Sequence, residues 1–166
     1  MNKLTIKDIT IVAVFAAILF TQEQVLTFLP NVQFTVFLIV LFSKKLGFVR
    51  TFFIVLIHVI LDNLVMGSFN IMYFPFMFLG WMIIPITLCT IFKKCESPLI
   101  LAILGIVFAF LYSWIYVIPN VLVLEVDPWV YLVNDFWWEI ILAVSSFLSI
   151  MWLYDPCAKA IDKIMK

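Results

Sequence analysis

Charged side chains are scarce in this sequence of 166 residues. They make up 12% of the chain, whereas hydrophobic residues make up 66%, and the mean hydropathy is +1.22. A typical soluble domain is about 25% charged and about 45–50% apolar. Since no soluble fold could bury this much apolar surface, the composition excludes a soluble domain, a disordered chain and a coiled coil. Ten Lys and Arg residues balance ten Asp and Glu residues, so no basic excess is available to bind nucleic acid.

Residues and motifs typical of catalytic and metal sites are also few. Cys89, Cys95 and Cys157 lack the spacing of a metal site, so we expect free thiols, no metal and no cofactor. A P-loop, HExxH and GxSxG are all missing, so the chain cannot hydrolyse ATP alone. His58, the single histidine, could serve as a general base beside Asp62, but no nucleophile accompanies the pair. We therefore expect a protein that is not an enzyme.

Long apolar runs fill most of the chain. A membrane-spanning helix needs about 20 mostly apolar residues, so six such helices would use about 120. The remainder is too short for a separate soluble domain. The sequence therefore predicts an all-α integral membrane protein, with residues 1–166 as one compact domain of six transmembrane helices. The N-terminal run resembles a signal peptide, but the apolar pattern continues beyond it, and we interpret it as the first membrane helix.

Short polar links divide the chain into six predicted segments. Their bounds are 8–29, 32–43, 48–64, 71–92, 99–118 and 134–154, with a loop at 119–133 and a short basic tail at the end. Segment 32–43 would rise only about 18 Å as a helix, against a hydrocarbon core of about 30 Å. Two positions for the first turn therefore stay open. One is Pro30-Asn31, and the other is the triplet Gln22-Glu23-Gln24, followed by a second helix kinked at Pro30.

The placement of charges favours six crossings. With six, all ten Lys and Arg residues fall on one side of the membrane, and six of the ten acids fall on the other. The positive-inside rule assigns the basic side to the cytoplasm. We therefore expect a multi-pass protein of the cell membrane with both termini in the cytoplasm. Five or seven helices would scatter the lysines over both sides.

Polar residues inside the segments gather near their outer ends. Such residues are costly in lipid and by default mark a functional site. His58 and Asp62 are four apart and share a helix face, and Tyr112, Tyr116 and Asn120 repeat the same spacing. Carboxylates, amides, one imidazole and aromatic faces suit a small flat polar molecule. The expected ligand-contacting residues are Glu23, His58, Asp62, Asn63, Asn70, Tyr73, Tyr112, Tyr116, Trp137, Trp138 and Glu139.

Asp62 and Glu139 are the carboxylates that we expect to matter most for the ligand, because both lie at helix ends. The alternative interpretation is that these outer acids are loop residues and that the Trp and Tyr side chains form an interfacial belt.

The first segment carries a second pattern, a pair of small residues. Ala13 and Ala17 are four apart on one helix face. Small residues at this spacing let two helices approach closely in lipid. The pair fits either contact with a partner helix or ordinary packing within the chain.

These features together resemble the substrate-binding S components of energy-coupling factor (ECF) transporters. The resemblance covers essentially the whole chain and includes the stretches FLPNVQFTVFLIVLFSKKLG and HVILDNLVMGSFNIMYFPFMFLGW. It implies that Ala13 and Ala17 dock on a transmembrane coupling subunit, which works with two cytoplasmic ATPase subunits. It also implies that the subunit topples in the membrane to carry its ligand inward.

The resemblance further implies the kind of ligand. Nickel and cobalt S components have a metal-binding N-terminal histidine, which this sequence lacks, so an organic vitamin is implied. The overall pattern looks most like the pyridoxine/pyridoxal-type members, and the implied ligand is vitamin B6. The alternatives are an S component for another vitamin, a six-helix scaffold similar to MreD-type cell-shape proteins, and a membrane enzyme or thiol carrier.

Overall fold

Helices make up most of the described chain. The structure is a computed structural model and describes residues 5–65 and 71–165, and no strand occurs within those ranges. The all-α prediction is confirmed. The helices are α1 (Ile6–Val25), α2 (Thr35–Lys45), α3 (Phe48–Val65), α4 (Phe74–Cys89), α5 (Pro98–Ile115), α6 (Val117–Leu124) and α7 (Pro128–Ile164).

Four helical segments are long and apolar enough to cross a membrane. They are Ile6–Val25, Phe48–Val65, Pro98–Leu124 and Pro128–Ile164. The apolar helix α4 has only 16 residues, and α2 has 11. An 11-residue helix rises about 16 Å, roughly half the thickness of the hydrocarbon core. These lengths are those of a helical membrane protein in which not every helix is a full span.

The turn after α1 spans residues 26–34 and includes Pro30-Asn31, one of the two predicted positions. The first helix ends at Val25 rather than at residue 29, and the triplet 22–24 lies in its last turn. Pro30 lies in the non-helical segment 26–34, so the kinked second helix is wrong. The Gln22 side chain fixes the return of the chain. Its Oε1 accepts from the Phe34 backbone N–H (2.9 Å) and its Nε2 donates to Thr35 Oγ1 (2.9 Å).

The predictions of a loop at 119–133 and of a short tail after residue 154 are wrong, because most of both regions is helical. Helix α6 runs to Leu124, and α7 begins at Pro128 and continues to Ile164. Pro119 lies in the first turn of α6, where a missing N–H breaks no helical hydrogen bond. Asp127 caps α7 by accepting from Trp129 N (2.8 Å), with Pro128 in the first helical position. By contrast, α3 matches its predicted segment within one residue, and α4 is shorter than the predicted 71–92.

The short helix α2 lies at the centre of the bundle. It contacts α1, α3, α4, α5 and α7, and most of its side chains are buried. The most extensive helix pair is α5 with α7. Gly105 permits this close approach, because a Cβ built there would lie 2.6 Å from Ile150 Cδ1.

One end of the bundle collects the basic residues. Lys44 Nζ donates to the Lys93 carbonyl (2.9 Å), and Lys45 forms an ion pair with Asp162 (2.8 Å). We call this the basic end. The described Lys and Arg residues all lie here: Lys7, Lys44, Lys45, Arg50, Lys93, Lys94, Lys159 and Lys163.

The opposite end, where α1 and α3 finish, is the polar end. Asn31 Nδ2 donates to the Trp138 carbonyl (3.0 Å), and Tyr73 Oη donates to Asn120 Oδ1 (3.2 Å). These contacts bring the segment after α1, the start of α4, helix α6 and the upper part of α7 together. The polar end therefore contains the described residues that the sequence predicts at the outer ends of the segments.

Candidate ligand-binding site

Three ionisable side chains meet inside the polar end. Glu23 lies in the last turn of α1, and His58 and Asp62 lie one turn apart on α3. His58 Nε2 is 3.2 Å from Glu23 Oε2. His58 is 1% exposed and Asp62 is 3% exposed, and Asp62 interacts electrostatically with Glu23. We call Glu23, His58 and Asp62 the acidic cluster.

The acidic cluster keeps unused hydrogen-bonding atoms. His58 Nδ1 and Asp62 Oδ1 are both buried and have no hydrogen-bond partner among the described residues. Nearly all buried polar atoms in proteins are paired, and leaving one unpaired costs about 1–3 kcal/mol. Atoms of this kind are suited to bind a molecule that enters the site.

A small cavity adjoins the acidic cluster through Glu23. Its volume is about 160 Å³, and its walls are Glu23, Gln24 and residues of the segment 26–34. Pockets for drug-sized molecules measure about 300–1,000 Å³, so this cavity suits only a small molecule. Ser145 on α7 anchors the far side of the segment, because its hydroxyl donates to the Gln33 carbonyl (3.0 Å).

Aromatic side chains lie next to the acidic cluster. The hydroxyls of Tyr112 and Tyr116 are 3.1 Å apart, and both rings interact electrostatically with Asp62. Trp81 stacks on Tyr112, with ring centroids 3.7 Å apart and planes inclined by 20°. Tyr73 lies beside Tyr116, at a centroid distance of 6.2 Å. The predicted tyrosines therefore lie together, on the side of α4 and α5.

The Asn63 side chain is occupied within the chain. Its Nδ2 donates to the Val59 carbonyl (2.9 Å) and to Met77 Sδ (3.2 Å). It therefore links α3 to α4. Asn70, which was also predicted to contact the ligand, lies outside the described residues.

Glu139 on α7 lies in a second acidic group. It is 1% exposed, its Oε1 has no partner among the described residues, and it interacts with Asp135. Tyr131 is within electrostatic range of this group and of Tyr73. Both acidic groups therefore belong to the polar end.

The two predicted tryptophans of α7 face away from the acidic cluster. Trp137 is 70% exposed, and Trp138 is also exposed. Trp138 takes part in the site only through its backbone carbonyl, which Asn31 contacts. The structure does not bring either indole ring to the acidic cluster, and their positions match those of an interfacial belt.

Thr35 and Trp81 of this region were not predicted from the sequence, and Gln22 was predicted only as part of a polar triplet at a possible turn. Gln22 and Thr35 join α1 to α2, and Trp81 covers one face of Tyr112. Thr35 carries a usable signal, since it is a polar residue within an apolar run. Nothing in the sequence around Trp81 distinguishes it from a core or lipid-facing residue.

Ala13 and Ala17 lie on the outer face of α1. Both are exposed, whereas their neighbours Val12 and Ala16 are buried against the bundle. Packing within the described chain therefore does not involve these two alanines. They leave a shallow face on which another helix could approach closely.

No protein-family model, curated protein or solved structure matches this chain. The assignment of a function therefore depends on the geometry of the polar end and on the charge distribution of the chain.

Proposed function

We propose that the chain is the S component of an ECF-type importer, a subunit that captures a small organic vitamin at the outer face of the bacterial plasma membrane. Vitamin B6, as pyridoxine or pyridoxal, is the proposed ligand. The subunit then delivers the vitamin inward by toppling, together with a transmembrane coupling subunit and two cytoplasmic ATPases. It performs no chemical step itself.

One observation carries the proposal. His58 and Asp62 of the acidic cluster are buried and hold unpaired polar atoms, and Glu23 connects the cluster to a cavity large enough only for a small molecule. A structural scaffold gains nothing from buried unpaired groups, which lower its stability. A binding protein gains from them, because the ligand satisfies them and is selected by them.

The proposed topology has six crossings with both termini in the cytoplasm. The concentration of the described Lys and Arg residues at the basic end supports it, through the positive-inside rule. In this topology α2 and the segment 26–34 together complete one crossing. Non-helical backbone at membrane depth is tolerated where it is enclosed by protein or lines a cavity, and the segment 26–34 lines the cavity.

The experiment is native mass spectrometry of the full chain, purified in detergent from cells supplied with vitamin B6. We expect a retained small molecule with the mass of a B6 form. Isothermal titration calorimetry with pyridoxine then measures the affinity. Asp62→Asn should weaken binding by about tenfold to a hundredfold, since hydrogen bonds to charged groups contribute about 1.5–3 kcal/mol.

Glu125→Gln is the matched control. It removes one negative charge from the same end of the bundle, but Glu125 is exposed and lies outside the acidic cluster. Its affinity should stay at the value of the parent. A chain that retains no molecule and binds no vitamin would favour the MreD-type scaffold instead.

A further inference from the structure

We propose that the site at the polar end selects molecules carrying a protonated aliphatic amine and rejects carboxylates and phosphates. This inference rests on the proposed function and adds the chemical class of the ligand.

The first argument is the sign of the charges. Glu23 and Asp62 bring two carboxyl groups to one buried site, and His58 is the single basic side chain beside them. The described Lys and Arg residues all lie at the basic end of the bundle. An anionic ligand would therefore meet carboxylates and no fixed cation, and like charges in contact cost several kcal/mol.

The second argument comes from the two helices. Glu23 lies in the last turn of α1, Asp62 lies in the last turn of α3, and neither turn contains a basic residue. The C-terminal end of a helix carries a partial negative charge, which cations stabilise and acids oppose. Two helix ends and two carboxyl groups thus give one region of the same sign. A bound cation would balance them.

The third argument is the open hydrogen-bonding capacity. Asp62 Oδ1 is buried and lacks a partner among the described residues, and an ionised carboxylate can only accept hydrogen bonds. An ammonium group donates three and accepts none, so it complements this atom. A metal ion fits less well, because no group of three or more His, Cys, Asp and Glu side chains in the described chain could hold one.

The test uses three B6 forms that share one ring and differ in a single arm. Pyridoxamine carries an aminomethyl group, pyridoxine a hydroxymethyl group, and 4-pyridoxic acid a carboxylate. Calorimetry on the full chain in detergent should show pyridoxamine binding about tenfold or more tighter than pyridoxine, and no binding of 4-pyridoxic acid. Equal affinity for pyridoxamine and pyridoxine, or binding of 4-pyridoxic acid, would overturn the inference and leave a vitamin-binding function intact.

Two variants test which residues cause the preference for pyridoxamine over pyridoxine. Asp62→Asn should abolish the preference for pyridoxamine over pyridoxine, whereas the exposed control Glu125→Gln should keep it. If the Asp62→Asn variant still prefers pyridoxamine over pyridoxine, the assignment of this selectivity to the acidic cluster is overturned.

If none of the three forms binds, the inference is tested on the molecule that the chain retains during purification. A retained molecule with a protonated aliphatic amine supports the inference, and one without such an amine overturns it while a ligand-binding role stands. A chain that retains nothing and binds none of the three forms contradicts the proposed function, and the inference fails with it.

Discussion

Two aspartates of this chain have opposite surroundings. Asp8 closes the first turn of α1 with Thr5, and its carboxylate forms an ion pair with Arg50 (2.6 Å). Asp62 is buried, and one of its oxygens has no partner among the described residues. The first arrangement stabilises the fold, while the second lowers stability in the absence of a ligand. Sites that bind ligands commonly show such a trade-off between stability and function.

Asp62→Asn should therefore raise the melting temperature of the ligand-free protein in detergent. The amide removes the charge of a buried, incompletely paired carboxylate but keeps a polar group, so we expect a gain of no more than about 1–3 kcal/mol, which corresponds to a few degrees for a chain of this size. Asp8→Asn is the control and should lower the melting temperature, because it removes an ion pair and part of a helix cap. A decrease for Asp62→Asn similar to that for Asp8→Asn would mean that Asp62 has a partner in the folded protein.

At the residue scale, the sequence predicted part of the site. The spacing of His58 and Asp62 placed them on one helix face, and both are buried there. Their position near Glu23 was predicted from the topology, which brings the outer ends of the segments together, and not from a local pattern, since Glu23 and His58 are 35 residues apart in the chain. The exposure of Trp137 could not be predicted either, since aromatic residues near a membrane surface occur both in pockets and in belts.

Two helix faces illustrate how small residues act at the scale of an element. Gly105 allows α5 to approach α7 within the chain. Ala13 and Ala17 leave an outer face of α1 uncovered. Gly105 thus acts in a contact inside the bundle, whereas the face with Ala13 and Ala17 is available to another subunit.

Gly105→Ala should destabilise the contact between α5 and α7 by about 1–3 kcal/mol, the usual effect of overpacking a core. The added Cβ would lie 2.6 Å from Ile150 Cδ1. Ile150→Val removes that atom, so the double variant should lose less than the sum of the single losses. Denaturation of the four proteins in detergent measures this coupling. Additive losses would show that the two side chains do not compete for space.

Ala13→Leu and Ala17→Leu should abolish vitamin uptake in cells that contain the coupling module, while leaving ligand affinity in detergent unchanged. A bulky side chain would hold the partner helix away from α1. Ala160→Leu changes an exposed alanine near the end of α7 and serves as the control, with normal uptake expected. An equal loss of binding and uptake would point to a defect of the bundle itself.

At the scale of the whole molecule, the described Lys and Arg residues lie at one end, where Asp8 and Asp162 pair with two of them. The common location of the basic residues was predicted from the sequence, and the contact of Lys45 with Asp162 joins two distant segments of that end. The connections between the long helices were harder to predict. Pro119 and Asp127 were read as loop residues, but one lies in the first turn of α6 and the other caps α7. Proline and aspartate occur both in loops and at helix starts, so residue type alone does not distinguish them.

Labelling in intact cells tests the proposed orientation. In a background with Cys89, Cys95 and Cys157 replaced by Ser, we expect Glu125→Cys to react with a membrane-impermeant maleimide from outside. Lys94→Cys should react only after permeabilisation, because the positive-inside rule assigns the basic end to the cytoplasm. Reaction of Lys94→Cys in intact cells would reverse the orientation.

The segment 26–34 closes the polar end with turns rather than with a helix. Side-chain hydrogen bonds from Asn31 to the Trp138 carbonyl and from Ser145 to the Gln33 carbonyl join it to α7. Displacing these nine residues from α7 would break such bonds and no helical turn. In the proposed function, we therefore expect a local motion of this segment to set the time in which a ligand enters or leaves, and such a motion can be much faster than the unfolding of any helix.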